Sequence, residues 1–148
     1  AVAANGNANG KNLAERIRVI DYKTGRISTT RPRELSEVFD PSMLNKHTDY
    51  YLQSMLYSII VSHNRNLNPA QEPVSPGLLF IQNAGAEDYD PTLKMGKELI
   101  SSIDVYEEEF MKQLKVLIAN IFDKDQPFRP TDDKHRCEYC PYAALCKS

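Results

Sequence analysis

Residues able to do chemistry gather in three places along this chain of 148 residues. The first is Asp21-Tyr22-Lys23, which closes the run Arg16-Ile17-Arg18-Val19-Ile20 and precedes Thr24-Gly25. On a strand, a carboxylate and an ammonium two positions apart project from one face, about 7 Å apart along the chain. The carboxylate can hold a hard divalent cation through oxygen. The ammonium can orient a water or stabilise charge developing on a phosphate. The plainer alternative is an exposed ion pair worth about 0–1 kcal/mol. The second place is Gln53 and Tyr57, which share a face if their segment is helical. An amide and a phenol inside an apolar helix each need a partner, because an unpaired buried polar group costs about 1–3 kcal/mol. A tyrosine at the helix rim and a glutamine bonded to nearby backbone would also satisfy that need. The third place is the tail, where Cys137, Cys140 and Cys146 are all the cysteines of the chain, spaced Cys-x2-Cys-x5-Cys. Clustered thiols without a visible secretory signal read as metal ligands rather than disulfides. Three thiolates from one loop suit an iron–sulfur cluster or zinc, with His135 available as a nitrogen ligand for zinc. Unligated thiols on a disordered tail are the alternative.

The elements that must position these residues follow from hydrophobic period. Ile17 and Val19 alternate with Arg16 and Arg18, which predicts a strand from about Ala14 to Asp21 with one buried face. Thr24-Gly25 is a turn, and Ile27 to Thr30 a short continuation. Pro32 to Asn45 reads as an irregular connection with a helical turn near Arg33 to Phe39. From His47 to His63, apolar residues lie almost all round the helical wheel, which predicts a buried helix. Gly77 to Gln82 is a continuous apolar run, expected as a strand buried on both faces. A short edge strand is expected within Leu93 to Ile100. Asp104 to Phe122 predicts an amphipathic helix with a stripe of Phe110, Leu114, Leu117, Ile118 and Ile121, capped by Asp104. Ala1 to Gly10 has nothing to bury and is expected to be a disordered loop or an expression remnant.

Composition bounds the rest. A chain of this length with 41% hydrophobic residues supports one compact core. No run approaches the roughly 20 apolar residues of a membrane span, and no export signal is visible. The default expectation is therefore a cytoplasmic protein without membrane partners. The net charge of −2 argues against a generic basic nucleic-acid binder. Yet residues 11–33 carry seven Lys/Arg against Glu15 and Asp21, a local balance of +5 that leaves −7 for residues 34–148. A basic stretch around a metal-binding carboxylate suits a phosphodiester substrate. For Arg16 and Arg18 a solvated strand face is the other reading.

Asp21-Tyr22-Lys23-Thr24-Gly25 after an apolar strand looks like the (D/E)-x-K half of the PD-(D/E)XK nuclease motif, in its RecB-like form. Gln53 and Tyr57, as Gln-x-x-x-Tyr on the following helix, are similar to an extra motif of RecB-like nucleases that lies beside the active site. The cysteine spacing resembles part of the iron–sulfur staple of AddB-type helicase–nucleases. The resemblance implies an α/β fold: a restriction-endonuclease-like core with a small mixed sheet and flanking helices. It implies a Mg²⁺- or Mn²⁺-dependent DNA exonuclease of repair and recombination, partnered by a helicase domain or subunit. Asp21 and the backbone carbonyl of Tyr22 would ligate the ion, and Lys23 would orient or activate water. Gln53 and Tyr57 would position substrate and lysine, and Cys137, Cys140 and Cys146 would belong to a [4Fe–4S] site completed by a distant fourth cysteine.

The match also has gaps. The family's second metal-binding Asp lies on the strand before the Asp-x-Lys strand, and the only acid upstream of Asp21 is Glu15. The expected organisation is a loop over residues 1–15, a partial nuclease core over 16–126 and a Cys-rich tail over 127–148. On this reading the isolated chain lacks activity for want of an upstream acid. Two other classes compete: a non-catalytic DNA-binding or scaffolding domain of a helicase–nuclease complex, and a zinc-binding interaction module carried by the tail.

Overall fold

The computed structural model describes the backbone of residues 2–4, together with residues 16–25, 31–127, 129–131 and 137–146. It divides into two compact units, Ala1–Leu117 and Ile118–Ser148. In the first, β1 (Val2–Ala4) runs antiparallel to β2 (Ile17–Lys23), and β2 runs parallel to β3 (Val74–Phe80). The helix α1 (Thr48–His63) supplies the crossover that parallel strands require. The result is the expected α/β architecture, a small mixed sheet with helices against it. β4 (Lys94–Met95) and β5 (Glu98–Leu99) form a small hairpin, and α2 (Asp104–Ile121) follows.

β2 extends to Lys23 rather than stopping at Asp21, because the ladder to β3 pairs every residue from Ile17↔Val74 to Lys23↔Phe80. β3 is buried along nearly its whole length, as a continuous apolar run demands. It begins earlier than its apolar residues suggest and carries Pro76 in its interior. The carbonyl of Leu93 beside it accepts from Ile100 N–H instead, so the missing proline N–H leaves no orphan there. Val2–Ala4 lie inside the stretch expected to be loop and instead pair with Ile17 to Val19. The connection after β2 is two 3₁₀ turns, Leu35–Val38 and Pro41–Lys46. The continuation expected at Ile27 to Thr30 lies outside the described residues.

α1 is not buried all round, as its apolar residues suggest, but on one side. Met55 and Ile59 enter the core, but so do Thr48, Ser54 and Ser58, while Ile60 is 53% exposed. Small polar residues line the contact because helix and sheet approach closely there. Ser54 donates to the carbonyl of Gly77 at 3.1 Å, and Ser58 donates to Ser54 O at 2.9 Å, so neither hydroxyl is orphaned. A Cβ at Gly77 would stand 3.2 Å from Pro91 O and 3.5 Å from Ile20 Cγ1. In α2 the expected stripe holds only at its start: Phe110 is fully buried, but Ile118 and Ile121 are 45% and 58% exposed. Burial of the stripe ends near Leu117, which is also where the first compact unit ends.

Gly77 fixes the spacing between β3 and its neighbours, so Gly77→Val forces a backbone shift. Overpacking of this kind costs about 1–3 kcal/mol, readable as a lowered urea midpoint. An unchanged midpoint contradicts the close packing described here.

Candidate active site

Asp21 and Lys23 lie at the C-terminal end of β2, on the face covered by α1. Their ladder partners are Leu78 and Phe80, both part of the buried core or its edge. Because Ser54 anchors α1 to Gly77, the preceding residue of the helix, Gln53, is delivered to the strand end. Lys23 Nζ sits 2.7 Å from Asp21 Oδ2 and donates to Gln53 Oε1 at 2.9 Å. Gln53 Nε2 in turn donates to Tyr57 Oη at 3.0 Å. The four residues singled out from sequence therefore form one chain: carboxylate, ammonium, amide, phenol. Its inner end is enclosed, with Lys23 and Asp21 side chains 17% and 22% exposed, and its outer end at Tyr57 meets solvent.

The pair is more than a surface contact. Asp21 Oδ2 is buried and, although the ammonium lies 2.7 Å away, the contact lacks hydrogen-bond directionality, so this oxygen has no hydrogen-bond donor. A buried carboxylate oxygen with an open lone pair is chemically suited to a hard cation. Asp21 thus fits as one ligand of such an ion. No group of three or more His, Cys, Asp or Glu side chains suited to a metal occurs among the described residues. Completing an ion's shell requires oxygens beyond Asp21, from substrate phosphate, water or further acids. Tyr22, between the pair, turns its side chain to solvent and is 53% exposed, so only its backbone carbonyl is a candidate ligand.

Two residues around Lys23 escaped the sequence reading. The ammonium lies 4.2 Å over the centroid of the Tyr50 ring, and that ring stacks on His47 with centroids 4.8 Å apart. Tyr50 stands three residues before Gln53 and shares its face, a spacing that was legible once Gln53 was suspected. It was read only as part of the apolar surface. His47 adopts a left-handed conformation, φ 58°, at the start of α1. Few non-glycine residues do so.

Arg18, read as solvated or phosphate-facing, lies 3.8 Å from Asp90. Burial raises the Asp90 carboxyl, but hydrogen bonds from Thr92 and the charges of Arg18 and Arg16 bring it below the usual range. Lys11 and Arg26 fall outside the described residues. Beyond Tyr50 opens a cleft of about 270 Å³ lined in part by Arg31, Lys46 and Lys94.

In the second unit the cysteines lie on a turn and a short helix, α3 (Ala143–Cys146). Cys137 N–H and carbonyl groups belong to a turn in which Cys140 N–H donates to Cys137 O at 3.4 Å. Cys137 and Cys140 are half-buried, Cys146 is exposed, and none of the three is in a disulfide. His135 lies outside the described residues. No helix among the described residues is long and apolar enough to cross a membrane.

A family profile described as the PD-(D/E)XK nuclease superfamily matches residues 11–147, which includes the strand, the helix and the cysteine tail. No curated protein and no solved structure matches the chain significantly.

Severing the buried pair has a measurable cost. Lys23→Met leaves the Asp21 carboxylate without its counter-charge and is expected to destabilise by about 1–3 kcal/mol, part of which Asp21→Asn/Lys23→Met recovers. Urea unfolding of the two variants reads this. Wild-type stability in Lys23→Met would mean a solvated contact.

Proposed function

The chain belongs to the PD-(D/E)XK nuclease superfamily, and we propose that it is part of a metal-dependent DNA exonuclease hydrolysing phosphodiester bonds in repair or recombination. The observation that carries this reading is the single connected chain Asp21–Lys23–Gln53–Tyr57. A structural ion pair has no need of an amide that holds its ammonium and whose own orientation is fixed by a phenol.

In this reading Asp21 and the Tyr22 carbonyl would hold Mg²⁺ or Mn²⁺, which when bound would supply Lewis-acid activation of phosphate and water. Asp21 also competes for the Lys23 ammonium. With Gln53 as a fixed acceptor, the Lys23 ammonium has donors to spare for a water or a phosphoryl oxygen. Gln53 sets where the ammonium sits, and Tyr57 sets which end of the Gln53 amide faces it. The Tyr50 ring supports the ammonium from the side at little desolvation cost. A preorganised cation at the reacting phosphate needs no rearrangement as negative charge develops, which is where rate acceleration arises.

Asp21 alone is too little to bind Mg²⁺ tightly, since that ion keeps several waters and relies on further anionic oxygens. The reading therefore needs a further carboxylate besides Asp21, and assigns this chain without one only background cleavage. A helicase domain or subunit as partner and a cytoplasmic setting belong to the same proposal. They rest on the likeness to RecB-like domains. The tail is assigned to a [4Fe–4S] staple, with zinc as the alternative, whose fourth ligand likewise lies elsewhere. The support is the Cys-x2-Cys-x5-Cys spacing alone.

Nucleotide release from linear DNA in Mg²⁺ or Mn²⁺ tests the catalytic proposal, using the natural protein that contains this chain. Lys23→Ala is expected to slow it by about 10²–10⁴-fold and Gln53→Ala by about tenfold. Robust cleavage by this chain alone, abolished by Lys23→Ala, contradicts the need for a further acid. For the tail, anaerobically purified protein is expected to absorb in the visible and to lose that absorption in Cys140→Ser. A colourless protein with stoichiometric zinc supports the alternative, and a metal-free protein excludes both.

A further inference from the structure

The cleft beyond Tyr50 is not used by the chain Asp21–Lys23–Gln53–Tyr57, yet it opens directly from it, since Tyr50 lines the cleft and also supports Lys23. Resting on the nuclease reading, we infer that this cleft takes one unpaired nucleotide of the substrate strand next to the reacting phosphate.

Its walls match both halves of a nucleotide. His47 and Tyr50 present stacked rings with an interplanar angle of 15°, a platform on which a further planar base can lie. The outer ring, His47, is exposed and so open to such a base. Tyr89, which also lines the cleft, is pinned: its hydroxyl donates to Leu78 O at 2.9 Å and accepts from Phe80 N–H at 3.0 Å. That wall is therefore rigid and costs no ordering on binding. Arg31, Lys46 and Lys94 supply three cations, whereas of the two carboxylates on the rim Asp90 is engaged by Thr92 N–H at 2.9 Å and by Arg18. Cations beside a stacking platform are how single strands are held without reading sequence.

The stacking platform selects the substrate class. A base can lie on the exposed face of the His47 ring only when it is unstacked from its own neighbours. A base seated there must have left its partner, which favours single-stranded or frayed ends over intact duplex. The left-handed backbone of His47 is consistent with this role, because strained backbone concentrates at ligand-contacting positions.

The test is equilibrium anisotropy with a fluorescein-labelled oligothymidylate of about eight nucleotides, in EDTA so that binding is read without cleavage. Lys46→Glu/Lys94→Glu is expected to weaken binding by about tenfold or more, with a shallower salt dependence. His47→Asn keeps a residue that tolerates the left-handed backbone but removes the ring, and is expected to cost about fivefold or more. Lys112→Glu, on the exposed face of α2, should leave binding unchanged, and a blunt duplex should bind at least about tenfold more weakly than the single strand. Wild-type affinity in both cleft variants overturns the assignment, as does an equal loss in Lys112→Glu or a duplex bound as tightly as the single strand. Cleft-sensitive binding with no Mg²⁺-dependent cleavage by the natural protein supports the cleft and removes only the hydrolytic reading.

Discussion

One ammonium group organises this molecule's chemistry. Lys23 Nζ is held at once by a carboxylate at 2.7 Å, by an amide oxygen at 2.9 Å and by an aromatic face at 4.2 Å. A long flexible side chain ordinarily loses up to about 2 kcal/mol of rotamer entropy when fixed. Three separate partners are needed to offset that loss and leave the nitrogen in one place. They come from two elements, Asp21 from β2 and Gln53 and Tyr50 from α1, so the site exists only where that strand and that helix meet.

The meeting depends on small residues. Ser54 and Gly77 let α1 approach β3 closely enough for a hydroxyl–carbonyl bond at 3.1 Å, and β3 carries β2 beside it in parallel register. A larger side chain at Ser54 would lift the helix and draw Gln53 away from Lys23, and one at Gly77 would press on Pro91 and Ile20 beside it. Stability and function are thus coupled through packing rather than through any direct bond between core and site. The same approach explains why the helix buries Ser58 and Thr48 while Ile60 faces out: volume at the contact, not hydrophobicity, decides which face turns inward.

Much of this was legible in the residues. The alternation Ile17–Val19 put Asp21 and Lys23 on one face, and the Gln53–Tyr57 spacing put amide and phenol on another. The continuous run in β3 announced a doubly buried strand. What stayed hidden depends on long-range contact. Tyr50 and His47 look like ordinary members of an apolar helix and its cap until Lys23 is placed over the ring. Arg18 looks like a solvated strand residue until Asp90 comes back beside it. The stripe of α2 reads as core along its whole length, but a helix buries only what another element covers, and cover ends near Leu117. The strand Val2–Ala4 carries too short an apolar signal to be seen without its partner β2.

The central claim is that Asp21 binds the catalytic cation while Gln53 keeps Lys23 in place beside it. A crystal of the natural protein with Mn²⁺ and a single DNA strand tests it most directly, through the anomalous signal of the metal. The account predicts Mn²⁺ within about 2.2 Å of an Asp21 oxygen, with a phosphate oxygen in its shell and Lys23 Nζ still bonded to Gln53 Oε1. Manganese bound away from Asp21, with the Asp21–Lys23 contact closed and the phosphate elsewhere, would contradict it.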